Sequence, residues 1–165
     1  MDKCRKGRRI LIFCIDTSAL LHAWRRDYPP DIFNSLWTHL IDLAQNERLF
    51  APDEVLLELE RGGDELYQWA LELDFMFLEP SEEMQQVVSE IVETYPSFIP
   101  DESSDGIWAD PYVIALAKVN SAVVVTGEKA VGLGAKRPKI PNICQYLQIE
   151  CIDFLQLVRL EGWKF

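Results

Sequence analysis

The chain has 165 residues, 48% hydrophobic and 26% charged, enough to bury the core of one domain and too few for two. Its formal charge of -11 excludes a protein that coats nucleic acid non-specifically, because affinity for phosphates rests on Lys and Arg that release counterions. No stretch reaches the roughly 18 uninterrupted apolar residues of a membrane span. Cys4, Cys14, Cys144 and Cys151 form no C-x-x-C pair, so free thiols and a cytoplasmic setting are expected rather than a zinc site.

Lys3, Arg5, Lys6, Arg8 and Arg9 precede the apolar run Ile10 to Ile15. That order imitates a secretory leader, but Asp16 ends the run and no small-residue cleavage site follows, so the run reads as a buried parallel strand. Asp16 then stands at the strand's carboxyl end, where open α/β sheets place their ligands. Ser18 to Arg25 predicts a helix that "DYPPD" breaks. Ile32, Leu36, Trp37, Leu40, Ile41 and Leu43 predict a second helix running to Asn46, with its apolar stripe facing the core. "RLFAP" reads as a short strand, "DEVLLELE" from Asp53 as a helix stopped by "RGGD", "DELYQWALEL" as another helix and "FMFLEP" as an edge strand. "SEEMQQVVSEIVETY" opens on Ser81 and acids, a good helix start, and "PSFIPDESSDGIW" is a loop. "ADPYVIALAKVN" predicts a helix leading into a strand over Ala122 to Val125. The loop "VGLGAKRPKIP", a short helix "NICQYLQ", a strand "IECID" and a closing helix "FLQLVRL" follow. Strands interleaved with helices predict an α/β fold, a central parallel sheet covered by helices on both faces, as a single domain over 1–165.

This order brings Asp16, Glu58, Asp110 and Glu128 toward one edge of the sheet, since strand ends and helix starts share that edge. Oxygen ligands without His or Cys suit a hard divalent cation such as magnesium or manganese, which neutralises their repulsion and serves phosphoryl-transfer chemistry. Each residue also has a plainer reading. Asp16 caps the helix after it; Asp110, before Pro111, is an N-cap; Glu128 is a turn residue; Glu54 shares a helix face with Glu58 and competes with it. Asp105 reads as a loop charge, Asp153 as the cap of the last helix, and His22 and His39 as structural. Thr17 and Thr126 are placed to orient neighbouring carboxylates. Lys129, Lys136, Arg137 and Lys139 form a local basic rim. No Walker or G-x-G-x-x-G loop follows the first strand, and Ser18 stands where an aspartyl phosphatase needs a second aspartate.

"CIDTSALL", "PDEVLLELERG", "WADPYVIALAK" and "VVVTGEK" resemble, in order and spacing, the four acidic motifs of the PIN-domain nucleases, on Asp16, Glu58, Asp110 and Glu128. "ERGGDELYQWA" and "KIPNICQYLQIECIDFLQL" resemble a PIN-like family of unassigned function related to the VapC-type toxins. The resemblance implies a three-layer α/β/α fold and a magnesium- or manganese-dependent endoribonuclease, with Asp16, Glu58, Asp110 and Glu128 as catalytic metal ligands. It further implies an RNA substrate held at the basic rim, a cognate antitoxin protein and a homodimer. Glu128 departs from the pattern, which has aspartate there; its extra methylene reaches farther but costs more side-chain entropy to fix. The alternative from another class is a non-catalytic interaction module on the same fold.

Overall fold

A computed structural model describes residues 9–100 and 108–165, so Lys3, Cys4, Arg5, Lys6, Arg8 and Asp105 lie outside the described residues. Five short strands build the sheet: β1 (Phe13–Ile15), β2 (Leu49–Pro52), β3 (Phe77–Leu78), β4 (Val123–Val125) and β5 (Cys151–Ile152). All neighbours are parallel, in the order β3-β2-β1-β4-β5. β1 and β4 are buried at every residue, which is why they are written without polar alternation. The run read as a strand from Ile10 joins the ladder only from Phe13. Its partners begin level with that residue, at Leu49 and Val123, and Ile10 is 76% exposed.

Helices α1 (Thr17–His22), α2 (Asn34–Gln45), α3 (Asp53–Gly62), α4 (Glu65–Glu72), α5 (Glu82–Thr94), α6 (Asp110–Asn120), α7 (Ile140–Tyr146) and α8 (Phe154–Glu161) cover both faces. α1 runs on into a π-turn over Ala23–Asp27 before "DYPPD" ends it. Side chains of Asp16, Asp64, Ser81 and Asp153 accept backbone N–H groups at the starts of α1, α4, α5 and α8. Gly63, in the left-handed region at φ 54°, closes α3.

On one face α6 packs against β1, β2 and β4, with α5 outside it. Val113, Ile114, Ala115, Leu116 and Ala117 are all buried, so this helix is apolar nearly all round. An aromatic core packs elsewhere: Trp37 meets Trp24 at 4.7 Å and Trp69 at 5.1 Å, both edge-on. The α2 stripe of Leu36, Trp37, Leu40 and Leu43 is buried, as core. Arg48 donates to the Leu11 carbonyl and to both carboxylate oxygens of Glu161, tying α8 to the start of β1. Among the described residues no helix is long and apolar enough to cross a membrane.

The strand order has a functional consequence. From β1 the chain moves outward to β2 and β3, then returns to place β4 on β1's other side. The carboxyl ends of β1 and β4 therefore flank the point where the winding reverses, the crevice in which such sheets bind ligands.

Candidate active site

Asp16 follows β1 directly and Thr126 follows β4 directly, so both stand in that crevice. Asp16 is 3% exposed and is held from three directions. Ala19 N–H donates to its Oδ1 at 2.9 Å, Thr126 Oγ1 to its Oδ2 at 2.8 Å, and Ser18 Oγ lies 2.9 Å from both oxygens. Burial pushes its carboxyl up to about 6 against these hydrogen bonds, and the charge of Glu128 adds to the rise. The helix-cap role is thus present in the structure and leaves the second oxygen to Thr126.

Glu58 sits on α3 with one oxygen taking Thr17 Oγ1 at 2.5 Å and the other taking Ala109 N–H at 3.0 Å. α1 therefore serves two carboxylates, Asp16 through its own start and Glu58 through Thr17. Glu54 goes elsewhere. Its Oε2 is buried without a hydrogen-bond partner among the described residues, and burial raises its carboxyl. The charges felt at Asp110 come from Glu128, Asp16 and Glu58, not from Glu54.

Asp110 is not the N-cap that the sequence suggested. Ala109 occupies the cap position, and Asp110 is the first residue of α6, with no side-chain bond to the helix start. Freed from capping, its carboxylate faces the other acids. Burial first, then Glu128, Asp16 and Glu58, push it up to about 7. The Arg137 guanidinium stands 3.9 Å from Asp110 Oδ2. Arg137 is braced: its Nε donates to the Phe98 carbonyl at 2.9 Å, and its guanidinium lies 5.9 Å over the Trp108 ring. The Trp108 indole N–H is directed closely enough at Asp110 to oppose the rise, without closing a hydrogen bond.

Glu128 is more than a turn residue. Its Oε2 accepts Ile140 N–H at the start of α7 at 3.0 Å, closing the loop between them, while Asn142 Oδ1 takes the N–H groups of Val131 and Lys139 inside that loop. Lys129 and Lys136 are exposed and Lys139 half-buried; of the four rim cations, Arg137 is the one seated at the acids.

Three features escaped the sequence reading. Ser18 joins the two halves of the crevice, touching Asp16 and accepting Gly127 N–H at 2.9 Å. Its only advance signal was a hydroxyl two residues after an aspartate at a helix start, a common local-bonding pattern. His22, one turn below it, lies against Gly127 so closely that a Cβ there would meet its Nδ1 at 2.5 Å. The third is the Ala109 N–H that holds Glu58.

As arranged, no three Asp, Glu, His or Cys residues among those described lie together as ligands of one ion. Both Glu58 oxygens and one Glu128 oxygen already accept hydrogen bonds. The donor set nevertheless suits a hard divalent cation: Asp110 and Asp16 offer oxygens alone, both are raised by burial and by the charge of Glu128, and magnesium is commonly held by one or two carboxylates plus waters.

Residues 13–165 match the family described as Domain of unknown function (DUF4411). The chain belongs to this family. No curated protein matches it. Among solved structures it is similar to VapBC2 from Rickettsia felis, crystallised bound to a DNA fragment from its promoter, at 17% identity. That similarity covers 87% of this chain and 99% of the other, with a TM-score of 0.51. PAE2754 from Pyrobaculum aerophilum is 18% identical over 95% of this chain and 100% of the other, at a TM-score of 0.46. The DUF4411 chain thus has the three-layer α/β/α, PIN-like fold, with its five-stranded parallel sheet and helices on both faces.

Proposed function

We propose that this DUF4411 protein is a magnesium- or manganese-dependent endoribonuclease, acting in the cytoplasm as the toxin of a toxin–antitoxin pair. The observation that carries the reading is the placement of Asp16 at the switch point with Asp110 near it, where burial first and then the charges of Glu128, Asp16 and Glu58 push Asp110 up to about 7. Likeness in fold to a VapBC2 structure supports an antitoxin partner, and a homodimer belongs to the same reading.

Asp16 and Asp110 would hold the cation, with Glu58 and Glu128 bordering it. A bound divalent ion supplies activated water for in-line attack on a phosphodiester and neutralises charge on the phosphate oxygens. The chain's own groups do the positioning. Thr126 and Ser18 fix Asp16, Thr17 and Ala109 N–H fix Glu58, and Ile140 N–H fixes Glu128. Arg137, held by Phe98 and over Trp108, would meet a phosphate beside Asp110.

The test is cleavage of single-stranded and structured RNA by partner-free protein with magnesium, manganese or chelator, beside Asp16→Asn and Asp110→Asn. Metal-dependent cutting lost in both variants is expected. The second reading, a non-catalytic interaction module, is favoured by the absence of three converging ligands among the described residues. Folded wild type that cuts neither RNA with either metal, and co-purifies with a partner while leaving RNA unchanged, would favour it over the nuclease.

A further inference from the structure

Next to Arg137 in sequence, Pro138 lines a pocket of about 390 Å³. Tyr95 and Ser97, after α5, form one wall; Val131, Leu133 and Pro138 of the loop before α7 form another; Tyr146, at the end of α7, closes it. Tyr95 and Tyr146 are stacked, with ring centroids 5.4 Å apart and planes 19° from parallel. They differ in surroundings. Tyr95 packs against the core, whereas Tyr146 is 51% exposed. No hydrogen bond among the described residues fixes either phenol, so neither ring is explained by a polar anchor, and Leu133 at the mouth is fully exposed.

The loop that forms one wall of this pocket is opposite in charge to the chain. From Lys129 to Lys139 the loop carries four cations and no acid, in a protein of net charge -11. Asn142 holds this loop in shape through both amide atoms, bonding Val131 N–H, Val131 O and Lys139 N–H. Arg137 bridges the two regions. Its guanidinium stands beside Asp110, while the next residue, Pro138, lines the pocket.

An aromatic face beside a basic rim, one step from a phosphate-binding arginine, is the arrangement by which proteins hold unpaired bases. We propose that the Tyr95–Tyr146 pocket is a subsite for a nucleobase of single-stranded RNA, stacked on Tyr146, adjacent to the phosphate held at Arg137. This rests on the RNA reading above and deepens it, since it selects single strands: in an A-form duplex the base faces are already stacked within the helix.

The experiment is fluorescence anisotropy with a short labelled single-stranded RNA and a blunt RNA duplex of the same length, with chelator present so that nothing is cleaved. Tyr146→Ala is expected to weaken single-strand binding roughly 5- to 150-fold, the worth of one base–aromatic stack. Duplex binding stays as in wild type, and Tyr146→Trp keeps single-strand affinity. Should Tyr146→Ala fail to fold, Tyr146→Leu, which keeps packing on Tyr95 without an aromatic face, gives the same reading. Single-strand affinity that is unchanged, that falls equally on the duplex, or that is missing from wild type overturns the subsite. Wild type that binds single strands but cuts none with magnesium or manganese overturns the nuclease and leaves the subsite standing.

Discussion

Replacing Asp110 by asparagine should make the metal-free protein more stable. Burial and three neighbouring carboxylates move Asp110 from an ordinary 3.8 to about 7, and its side chain is only 21% exposed, so solvent screens little of the effect. Each unit is worth about 1.4 kcal/mol, which sets a ceiling of about 4 kcal/mol at alkaline pH. Local relaxation lowers this to an expected gain of roughly 2–4 kcal/mol, or about 4–16 °C in Tm for a chain of this size. The sign follows from proton counting. Between 3.8 and about 7 the folded protein holds a proton that the unfolded chain has lost, so this group's contribution to stability falls as pH rises through that window and is flat above it. The amide of the Asp110→Asn variant does not titrate in this window. Thermal melts in chelator at mildly acidic and alkaline pH should therefore show the variant gaining on wild type as pH rises. On the proposed nuclease reading, added magnesium should stabilise wild type more than the variant, which lacks one of the proposed carboxylate ligands. A variant no more stable than wild type at alkaline pH, or one whose advantage does not grow with pH, would refute the electrostatic account.

Other substitutions test the supports of the site. Gly127→Ala places a Cβ 2.5 Å from His22 Nδ1 and 3.1 Å from the Ser18 carbonyl. A loss of about 1–3 kcal/mol in urea denaturation is expected, largely recovered when His22→Ala is added, because the side chain then has room. Ser18→Ala removes the hydroxyl donor from Asp16, so NMR titration of that carboxyl should find its midpoint above about 6. Glu161→Ala leaves Arg48, 26% exposed in its side chain, without its two-oxygen partner, and about 1–3 kcal/mol of stability should be lost in the same denaturation assay.

What the sequence discloses about this protein divides along physical lines. Strands and the apolar helix faces were legible because burial on both sheet faces demands continuous apolar runs, and "CIDTS" and "VVVTG" stop at the carboxylate and hydroxyl that line the crevice. The order β3-β2-β1-β4-β5 was not legible, since strand order is set by crossovers rather than by any local pattern. The same limit applied to the site. Glu54 and Glu58 are equivalent on a helical wheel, and only the approach of Thr17 and Ala109 from two other segments separates them. Asp110 looked like a cap because Asp-Pro commonly opens helices; the chain instead starts α6 one residue earlier and leaves the aspartate to the cluster.

Glu128 shows why the longer side chain suits its position. Aspartate there would leave a carboxylate near Asp16 and Asp110 but short of α7. The additional methylene lets one oxygen take Ile140 N–H, twelve residues on, while the charge still reaches Asp16 and Asp110. That bond offsets the rotamer entropy which otherwise weighs against glutamate. It also has a consequence beyond the carboxylate itself. The loop it closes, from Glu128 to Ile140, carries Arg137, whose guanidinium stands beside Asp110, and next to it Pro138, which lines the tyrosine pocket. Glu128 thus ties the acidic side of the crevice to the start of α7, while Asn142 shapes the loop between them and Phe98 and Trp108 hold Arg137.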